Sequence, residues 1–359
     1  MRITKLEVDT NKFYNNINKI KEYVNGKELM PIIKANGYGT HINKNLNVIN
    51  NFNIVAVAIV EEAIDLRNIG YTKEIFVLNQ PYKDEIEDII NYDITIGISD
   101  KSFLEELLKV NNKVRVHLEI ETGMNRTGIN INDLEEYIDK IKTNPNIIIE
   151  GTYTHLSSAD YDTEYTNRQI SIFKQAVDII KSKVNTIKYV HCEASNGLIN
   201  YNLDFTNLVR PGLVMYGYPT FDGMNNKLSV EPIAKLKTKV TFLKEIEANE
   251  SVSYSRRFIS TSKMKVATIP IGYADGLKRS LSNKGSVVIN GKKAPIIGSV
   301  CMDSCMVDVT NIDNVYVGTD VYIWDNETIT LDDIAEECDT ISYEIIAGIS
   351  DRVPRVFIN

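Results

Sequence analysis

The chain has 359 residues, of which 43% are apolar and 25% charged, and its formal net charge at pH 7 is -8. This length favours about two globular domains, and an acidic balance without a long basic run argues against nucleic acid or an anionic membrane as a partner. The cysteines form no CxxC pair, so neither a metal site nor a disulfide framework is predicted, and the absence of a long apolar stretch favours a cytoplasmic location.

The first part of the chain alternates short apolar runs with helical patterns. The runs are MPIIKA (30–35), IVAVAI (54–59), EIFVLN (74–79), DITIGIS (93–99), KVRVHLEI (113–120), NIIIEGTYTHL (146–156), KYVHCEA (188–194) and LVR (208–210). Strands that alternate with helices predict a parallel sheet. Eight such units within roughly 220 residues predict a closed (β/α)8 barrel of the TIM type.

The pattern changes beyond about residue 225, where strands follow one another closely and are separated by Asn-Gly and Gly turns. This part predicts a mainly antiparallel β domain. We therefore expect an α/β protein with a barrel at residues 1–225, whose first few residues could join the second domain, and a C-terminal β domain at residues 226–359.

Four chemically distinctive residues fall where predicted barrel strands end: Lys34, His155, Ser195 and Arg210. Catalytic residues of such barrels lie at these carboxyl ends. In RPGLVMYG (210–217) a glycine permits close approach, and Leu213 could begin a short helix whose N–H groups, beside a hydroxyl, would bind a phosphate. A reactive lysine and a phosphate site at one mouth indicate pyridoxal 5'-phosphate (PLP), which binds lysine covalently.

Eight motifs across the chain carry a more specific signal. They are PIIKANGYG (31–39), ETGMNRTG (121–128), THLSSAD (154–160), RPGLVMYG (210–217), SVSYSRRF (251–258), PIGYADG (270–276), GSVCMDS (298–304) and SDRVPRVF (350–357). In their kind and order they resemble the alanine racemase family, the PLP enzymes of fold type III. The resemblance covers essentially the whole chain.

The resemblance implies a two-base racemase in which Lys34 binds PLP and moves one proton at the substrate α-carbon, while Tyr254 serves the opposite face. Arg210 would face the pyridine nitrogen, with His155 hydrogen-bonded behind it. Because a guanidinium stays protonated, that nitrogen would remain unprotonated, which favours proton exchange over decarboxylation. The implied cofactor-binding set is Lys34, Tyr38, His155, Ser195, Arg210, Gly212 and Leu213, and the substrate-binding set is Arg126, Met302 and Tyr273, with Asp303 supporting the loop.

The resemblance also implies a head-to-tail homodimer, since Tyr254 would act in the neighbouring subunit. The substrate would be a small amino acid, and no metal, nucleic acid or membrane is implied. The family's usual role is to supply D-alanine for cell-wall peptidoglycan.

Two departures from the family pattern make specificity candidates. Glu119 lies seven residues before Arg126, where some members carry a lysine modified to a carbamate, and we interpret it as a replacement that still orients Arg126. Asp351 replaces a tyrosine that usually narrows the entrance, which predicts a wider and more polar pocket that admits serine.

Several alternatives stay open at this level. A serine or broad-specificity racemase, a barrel-type basic-amino-acid decarboxylase and a non-catalytic PLP-binding protein share parts of the pattern. Arg210 argues against the decarboxylase, which normally has an acid at the pyridine nitrogen, and the second domain with Tyr254 argues against the silent binder. Taken singly, Lys34 would be a strand-end lysine, Asp351 a salt-bridge residue and His191 a structural histidine.

Overall fold

The structure is a computed structural model that describes residues 2–221 and 223–359. The chain forms two compact units. The barrel unit comprises Phe13–Gly37 and Ile42–Glu231, and the sheet unit comprises the chain up to Lys12, the short segment Tyr38–His41 and Pro232–Asn359. Among the described residues, no helix has both the length and the apolar character needed to pass through a bilayer.

Strand β1 (Lys5–Asp9) belongs to the sheet unit, and the strands that follow it form the barrel unit. These are β2 (Glu28–Leu29), β3 (Ile54–Val57), β4 (Glu74–Val77), β5 (Thr95–Ile98), β6 (Val114–Glu119), β7 (Ile147–Tyr153), β8 (Tyr189–His191) and β9 (Leu208–Val209). Strands β3 to β8 pair in chain order as a parallel sheet, and β2 pairs with β9.

Isolated bridges close the barrel. Ile32 bridges to Ala56 of β3, and Ala194 bridges to Arg210 directly after β9. The ring of parallel strands confirms the predicted (β/α)8 architecture. The strand predicted at 30–35 is wrong in extent, because β2 already ends at Leu29. Pro31 has no N–H, and its carbonyl accepts the N–H of Ala56 at 2.9 Å.

Helices connect the barrel strands as the alternating pattern predicts. They are α1 (Thr10–Tyr23), α2 (Leu46–Ile49), α3 (Val60–Asn68), α4 (Ile86–Asn91), α5 (Lys101–Leu107), α6 (Leu134–Ile141), α7 (Thr163–Lys183) and α8 (Ser195–Asn200). The long helix α7 begins where Asp162 Oδ1 accepts the N–H of Tyr165 at 2.9 Å, a side-chain cap that satisfies one of the free amides of the first turn. Short 3₁₀ helices lie at Ile42–Lys44, Lys83–Glu85, Leu213–Tyr216 and Met224–Asn226.

The sheet unit contains the remaining strands. They are β10 (Ala234–Lys239), β11 (Phe242–Ile246), β12 (Ser251–Val252), β13 (Phe258–Ile259), β14 (Met264–Ile269), β15 (Ser286–Ile289), β16 (Lys292–Ile297), β17 (Cys305–Asp308), β18 (Asp320–Trp324) and β19 (Arg355–Ile358). The main sheet has the order β11-β14-β17-β16-β15-β18-β10-β1-β19, and β12 pairs with β13 separately. All its recorded pairs are antiparallel except β1 with β19, which confirms a mainly antiparallel β domain.

Local sequence explains the tight connections of this sheet. Strands β15 and β16 are joined by Asn290 and Gly291, whose φ angles of 49° and 74° are those of a hairpin turn that matches strand twist. Two helices, α9 (Leu331–Glu337) and α10 (Ser342–Ala347), follow β18, and Thr330 caps the first by accepting the N–H of Asp333 at 3.1 Å. Further 3₁₀ helices lie at Tyr254–Arg256, Tyr273–Asp275 and Arg279–Leu281.

The centre of the sheet unit offers a direct test of its packing. Ile289 is 0% exposed on β15 and pairs with Val321 of β18, the strand that carries Trp324, the single tryptophan of the chain. We expect Ile289→Ala to lower the free energy of unfolding by about 2–5 kcal/mol, because it removes buried methylene groups and leaves a cavity. The measurement is denaturant unfolding followed by Trp324 fluorescence. Val317→Ala, at a residue 60% exposed, is the control and should change stability by less than about 0.5 kcal/mol.

Candidate functional site

The first candidate feature is the turn that begins at Lys34, beyond the first barrel strand. The backbone enters the left-handed region at Ala35, Asn36 and Gly37, with φ angles of 52°, 53° and 59°, and Tyr38 follows with a φ of 52°. Each such residue with a Cβ costs roughly 1–2 kcal/mol in this conformation. Backbone strain of this kind is concentrated at functional sites, where the surrounding structure maintains it.

Contacts within the barrel unit hold this turn. The N–H of Ala35 donates to Glu62 Oε1 at 2.6 Å, while the second oxygen of Glu62 accepts the N–H of Ala58 at 2.8 Å. A Cβ on Gly37 would lie 2.8 Å from Ile42 Cγ2, so only glycine fits there. Sequence reasoning missed Glu62, because a glutamate in the first turn of a helix has ordinary surface explanations.

The environment of Lys34 favours a reactive amine. The side chain is half-buried, and burial lowers its pKa, as does the positive charge of Arg126, while Glu62 acts in the opposite direction. A lysine with a lowered pKa has more of its amine unprotonated at neutral pH, which is the form that attacks a carbonyl carbon. This is the electrostatic property that a PLP-binding lysine needs.

Arg210 is the central cation of the barrel interior. It is 2% exposed, and its Nη1 donates to His191 Nδ1 at 2.8 Å and to the carbonyl of His191 at 2.9 Å. Its Nη2 donates to the carbonyl of Thr154 at 2.8 Å and lies 3.4 Å from His155 Nδ1. His191, interpreted from sequence as purely structural, is therefore the nearer of the two imidazole partners of Arg210. Burial and the charge of Arg210 lower the pKa of His155 to about 3, so this histidine is neutral near pH 7.

The predicted phosphate site also comes together in the barrel unit. Ser195 is 5% exposed, and its hydroxyl oxygen accepts the N–H of Gly212 at 3.1 Å. Leu213 begins the 3₁₀ helix Leu213–Tyr216, as the sequence predicted. The two segments meet because the bridge from Ala194 to Arg210 joins the preceding strand ends.

These residues fit PLP by the chemistry of their donors. Lys34 offers an amine for the aldehyde, and Ser195 offers a hydroxyl that can turn to a phosphate. All side-chain hydrogen bonds that Arg210 makes in the described part of the chain come from Nη1 and Nη2, which leaves Nε as the donor for a ring nitrogen. The barrel unit therefore supplies a matching group for the aldehyde, the phosphate and the ring nitrogen of the cofactor.

Glu119 differs in detail from its predicted role. It is 5% exposed, and it accepts the Thr127 hydroxyl at 2.9 Å rather than forming an ion pair within 4 Å of Arg126 among the described residues. Burial raises the pKa of Glu119, while attraction to Arg126 lowers it in part. Thr127 follows Arg126 directly, so this hydrogen bond connects Glu119 to the loop that carries the arginine.

A second set of candidates lies in the sheet unit. Tyr254 is 72% exposed and begins a 3₁₀ turn after Ser253, whose φ is 68°. Tyr254, Met302 and Asp303 line one open cavity of about 330 Å³. Met302 is itself 52% exposed, so this face presents both a phenol and a backbone segment to whatever binds there.

The loop that carries Tyr273 is fastened to the loop that carries Met302. The N–H of Tyr273 donates to the carbonyl of Cys301, and the N–H of Ala274 donates to the carbonyl of Met302, both at 3.0 Å. A Cβ on Gly272 would overlap the carbonyl oxygens of this loop, so glycine permits the close approach. Two backbone hydrogen bonds therefore join the loops directly.

Asp303 and Asp351 occupy charged surroundings in the sheet unit. Asp303 binds Arg352 Nη2 at 2.7 Å, which supports its predicted role in holding the loop. Asp351 is largely exposed and lies 3.1 Å from His41 Nε2. In the same unit, the ring of Tyr38 lies 6.1 Å from that of Tyr343.

Family models match both units of the chain. The model described as alanine racemase, N-terminal domain, matches residues 8–220, and the model described as alanine racemase, C-terminal domain, matches residues 233–357. The chain is 37% identical over its full length to alanine racemase 2 of Caldanaerobacter subterraneus subsp. tengcongensis, of which 95% is covered. It is 36% identical over its full length to the alanine racemase of Halothermothrix orenii, of which 97% is covered.

Solved structures agree in fold. The chain matches an alanine racemase of Clostridium difficile 630 with a TM-score of 0.94 and 30% identity, covering all of this chain and 96% of the other. It matches the alanine racemase of Bacillus anthracis with bound L-Ala-P with a TM-score of 0.93 and 32% identity, again covering all of this chain and 96% of the other. The chain therefore belongs to the alanine racemase family, whose members use PLP.

Proposed function

We propose that this chain racemises alanine with PLP as its cofactor. The observation that carries the proposal is the pairing, in one barrel, of the strained turn at Lys34 with the buried guanidinium of Arg210. The full-length relatives from Caldanaerobacter and Halothermothrix are alanine racemases, which supports the same reaction. The motifs of the chain and the chemistry of its barrel site thus favour one activity.

Each barrel residue has a distinct proposed task around the cofactor. When bound, PLP withdraws electrons from the substrate α-carbon and so acidifies its C–H bond. Lys34 binds the cofactor and moves one proton at that carbon. Arg210 donates toward the ring nitrogen and remains protonated there. The phosphate is held by Ser195, Tyr38 and the backbone at Gly212 and Leu213, and His155 fixes Arg210 from behind.

Racemisation needs a second proton carrier on the opposite face of the α-carbon, and we assign this task to Tyr254. Its wide exposure in the chain supports an action on a neighbouring subunit, so we propose a head-to-tail homodimer with shared active sites. The Met302 N–H and Arg126 bind the substrate carboxylate, and Tyr273 lines the entrance.

Substrate choice is the finer part of the proposal. Asp351 places a carboxylate where an aromatic ring would narrow the entrance, and Glu119 places a second one below the loop of Arg126. Both changes favour some acceptance of a hydroxyl-bearing amino acid, with serine the nearest competitor of alanine.

We further propose a cytoplasmic enzyme that supplies D-alanine for peptidoglycan. We also propose that its barrel domain ends near residue 225.

Changing Lys34 tests the attachment of the cofactor. We expect Lys34→Arg to abolish covalent binding of PLP, because a guanidinium lacks the nucleophilic amine. Borohydride reduction followed by peptide mass analysis gives the labelled residue. Lys27→Arg, in the same barrel, is the matched control and should keep the label on Lys34. A label on any other lysine of the wild-type protein would contradict the assignment.

Changing Tyr254 tests the two-base reaction. We expect Tyr254→Phe to slow loss of α-deuterium from one enantiomer by at least about a hundredfold, with a much smaller effect on the other, because only one face loses its proton carrier. Tyr316→Phe, at a tyrosine 65% exposed, is the control. Equal and slight effects on both enantiomers would rule out Tyr254 as the second base. No exchange from either enantiomer in the wild type would instead leave a non-catalytic PLP-binding protein.

Changing Asp351 tests substrate choice. We expect measurable serine turnover by the wild type, and we expect Asp351→Tyr to lower the serine-to-alanine ratio of kcat/KM by about tenfold, because the ring narrows the entrance. Initial rates over a panel of L-amino acids provide the measurement, with the exposed Asp313→Tyr as control. Strict alanine selectivity of the wild type would refute this part of the proposal.

A further inference from the structure

A row of buried imidazoles leads away from Arg210 through the interior of the barrel unit. Arg210 Nη1 lies 2.8 Å from His191 Nδ1, and His191 Nε2 lies 2.9 Å from His117 Nδ1. Both histidines are 0% exposed. The ring of Tyr153 stacks on His191 with centroids 5.2 Å apart, and Phe76 stacks on His117 at 4.4 Å, so neither imidazole can turn toward another partner.

Beyond His117 the row reaches two carboxylates. Glu74 is the first residue of β4, and Glu150 lies on β7. Ligand-type atoms of Glu74, His117 and Glu150 all lie within 4.8 Å of one another. His117 Nε2, Glu74 Oε1 and Glu150 Oε2 are each buried without a hydrogen-bond partner in the described structure. Buried polar groups are rarely left unpaired, so this cluster calls for an explanation.

The direction of the hydrogen bonds follows from Arg210. A guanidinium only donates, so His191 Nδ1 must accept. A neutral imidazole carries one proton, which then lies on His191 Nε2 and is donated to His117 Nδ1. The proton of His117 consequently lies on Nε2, facing the carboxylates. Burial and neighbouring positive charge lower the pKa of His117 to about 3, and burial with the charge of Arg210 lowers the pKa of His191 well below its usual value, so both rings are neutral at neutral pH.

The same hydrogen bonds disfavour a metal ion at the cluster. One imidazole and two carboxylates are ligands that a divalent cation such as Zn²⁺ accepts. A cation on His117 Nε2 would need a lone pair there and would move the proton to Nδ1. The proton of His191 would then have to lie on Nδ1, where it would oppose the N–H of Arg210. The hydrogen bond from Arg210 therefore favours a proton acceptor at this end of the row.

We propose that Glu74 and Glu150 are positioning residues, which accept the Nε2–H of His117 and so hold His117 and His191 in the tautomers that receive Arg210. One water molecule can span atoms at this spacing, accepting from His117 and donating to both carboxylates. Such a water would give a hydrogen-bond partner to each of the three atoms that lack one.

Two cations lie next to the carboxylates on the side away from His117. Lys188 Nζ lies 3.3 Å from Glu74 Oε2, and Arg115 Nε lies 3.6 Å from Glu150 Oε2. Burial and the charge of Glu74 raise the pKa of Glu150, and the charges of Lys188 and Arg115 oppose that rise. The cluster is therefore balanced by positive charge on its outer side, while the neutral ring of His117 faces it from within.

The expected effect on catalysis rests on the proposed function, in which Arg210 lies at the cofactor ring. The assignment of the histidine tautomers does not depend on that function. If the row is broken at the carboxylates, the proton of His117 loses its acceptor, and the fixed orientation of His191 and Arg210 is weakened. An error in guanidinium position at a reacting ring reduces rate more than binding. The site thus extends through the barrel interior to a pair of carboxylates that touch neither cofactor nor substrate.

Tautomers of the wild-type holoenzyme give the first test, and they need no turnover. The chain has only four histidines, so ¹⁵N-histidine labelling gives a simple spectrum. The variants His41→Asn and His155→Asn each remove one signal, and the two signals that remain belong to His117 and His191. We expect His117 and His191 to be neutral, protonated on Nε2 and unprotonated on Nδ1, and unchanged by added Zn²⁺. A His117 protonated on Nδ1, or loss of its Nε2–H signal with Zn²⁺, would overturn the proposal.

The second test changes the carboxylates. We expect the double variant Glu74→Gln and Glu150→Gln to shift the Nε2–H signals of His117 and His191 and to lower kcat about tenfold with little change in KM, as for other outer partners of a site. Glu28→Gln, at the first residue of the barrel strand β2, is the matched control and should behave as wild type. Unchanged signals and kcat in the double variant would refute the role of the carboxylates. If the wild-type protein gave the expected histidine signals but did not racemise alanine, the proposed function would be refuted and the role of the carboxylates would stand.

Discussion

The buried guanidinium of Arg210 is the constraint on which the barrel site depends. Removing a charge from water is costly unless every donor finds an acceptor. Here the acceptors are neutral, namely the ring and carbonyl of His191 and the carbonyl of Thr154, and no carboxylate within 4 Å forms an ion pair with Arg210 in the described chain. Burial, and after it the charge of Arg210, lowers the pKa values of His155 and His191, so neutral rings surround the cation.

A second constraint is the left-handed turn after Lys34. Such backbone is unfavourable by itself, and it persists because the carboxylate of Glu62 binds the N–H groups of Ala35 and Ala58 at once. The arrangement fixes where Lys34 begins, while burial and Arg126 adjust its protonation. Glu62 enters both the geometry and the electrostatics, because its charge also opposes the lowering of the Lys34 pKa.

The candidate site of the sheet unit depends on close backbone approach. Gly272 lets the loop of Tyr273 contact the loop of Met302 directly, and the exposed Tyr254 lies on the rim of the same cavity. The exposure of this phenol supports the proposal that Tyr254 acts in an active site that two subunits share.

The sequence by itself determined the barrel, the antiparallel sheet and the motifs of the family, because strand and helix periodicity and turn residues are local properties. It also placed Lys34 and Arg210 at strand ends. Only the tertiary structure decided which histidine binds Arg210, that Glu119 bonds Thr127, and that Glu74 and Glu150 meet His117. Those contacts join residues far apart in the chain, and they depend on side-chain packing inside the barrel, which no local pattern specifies.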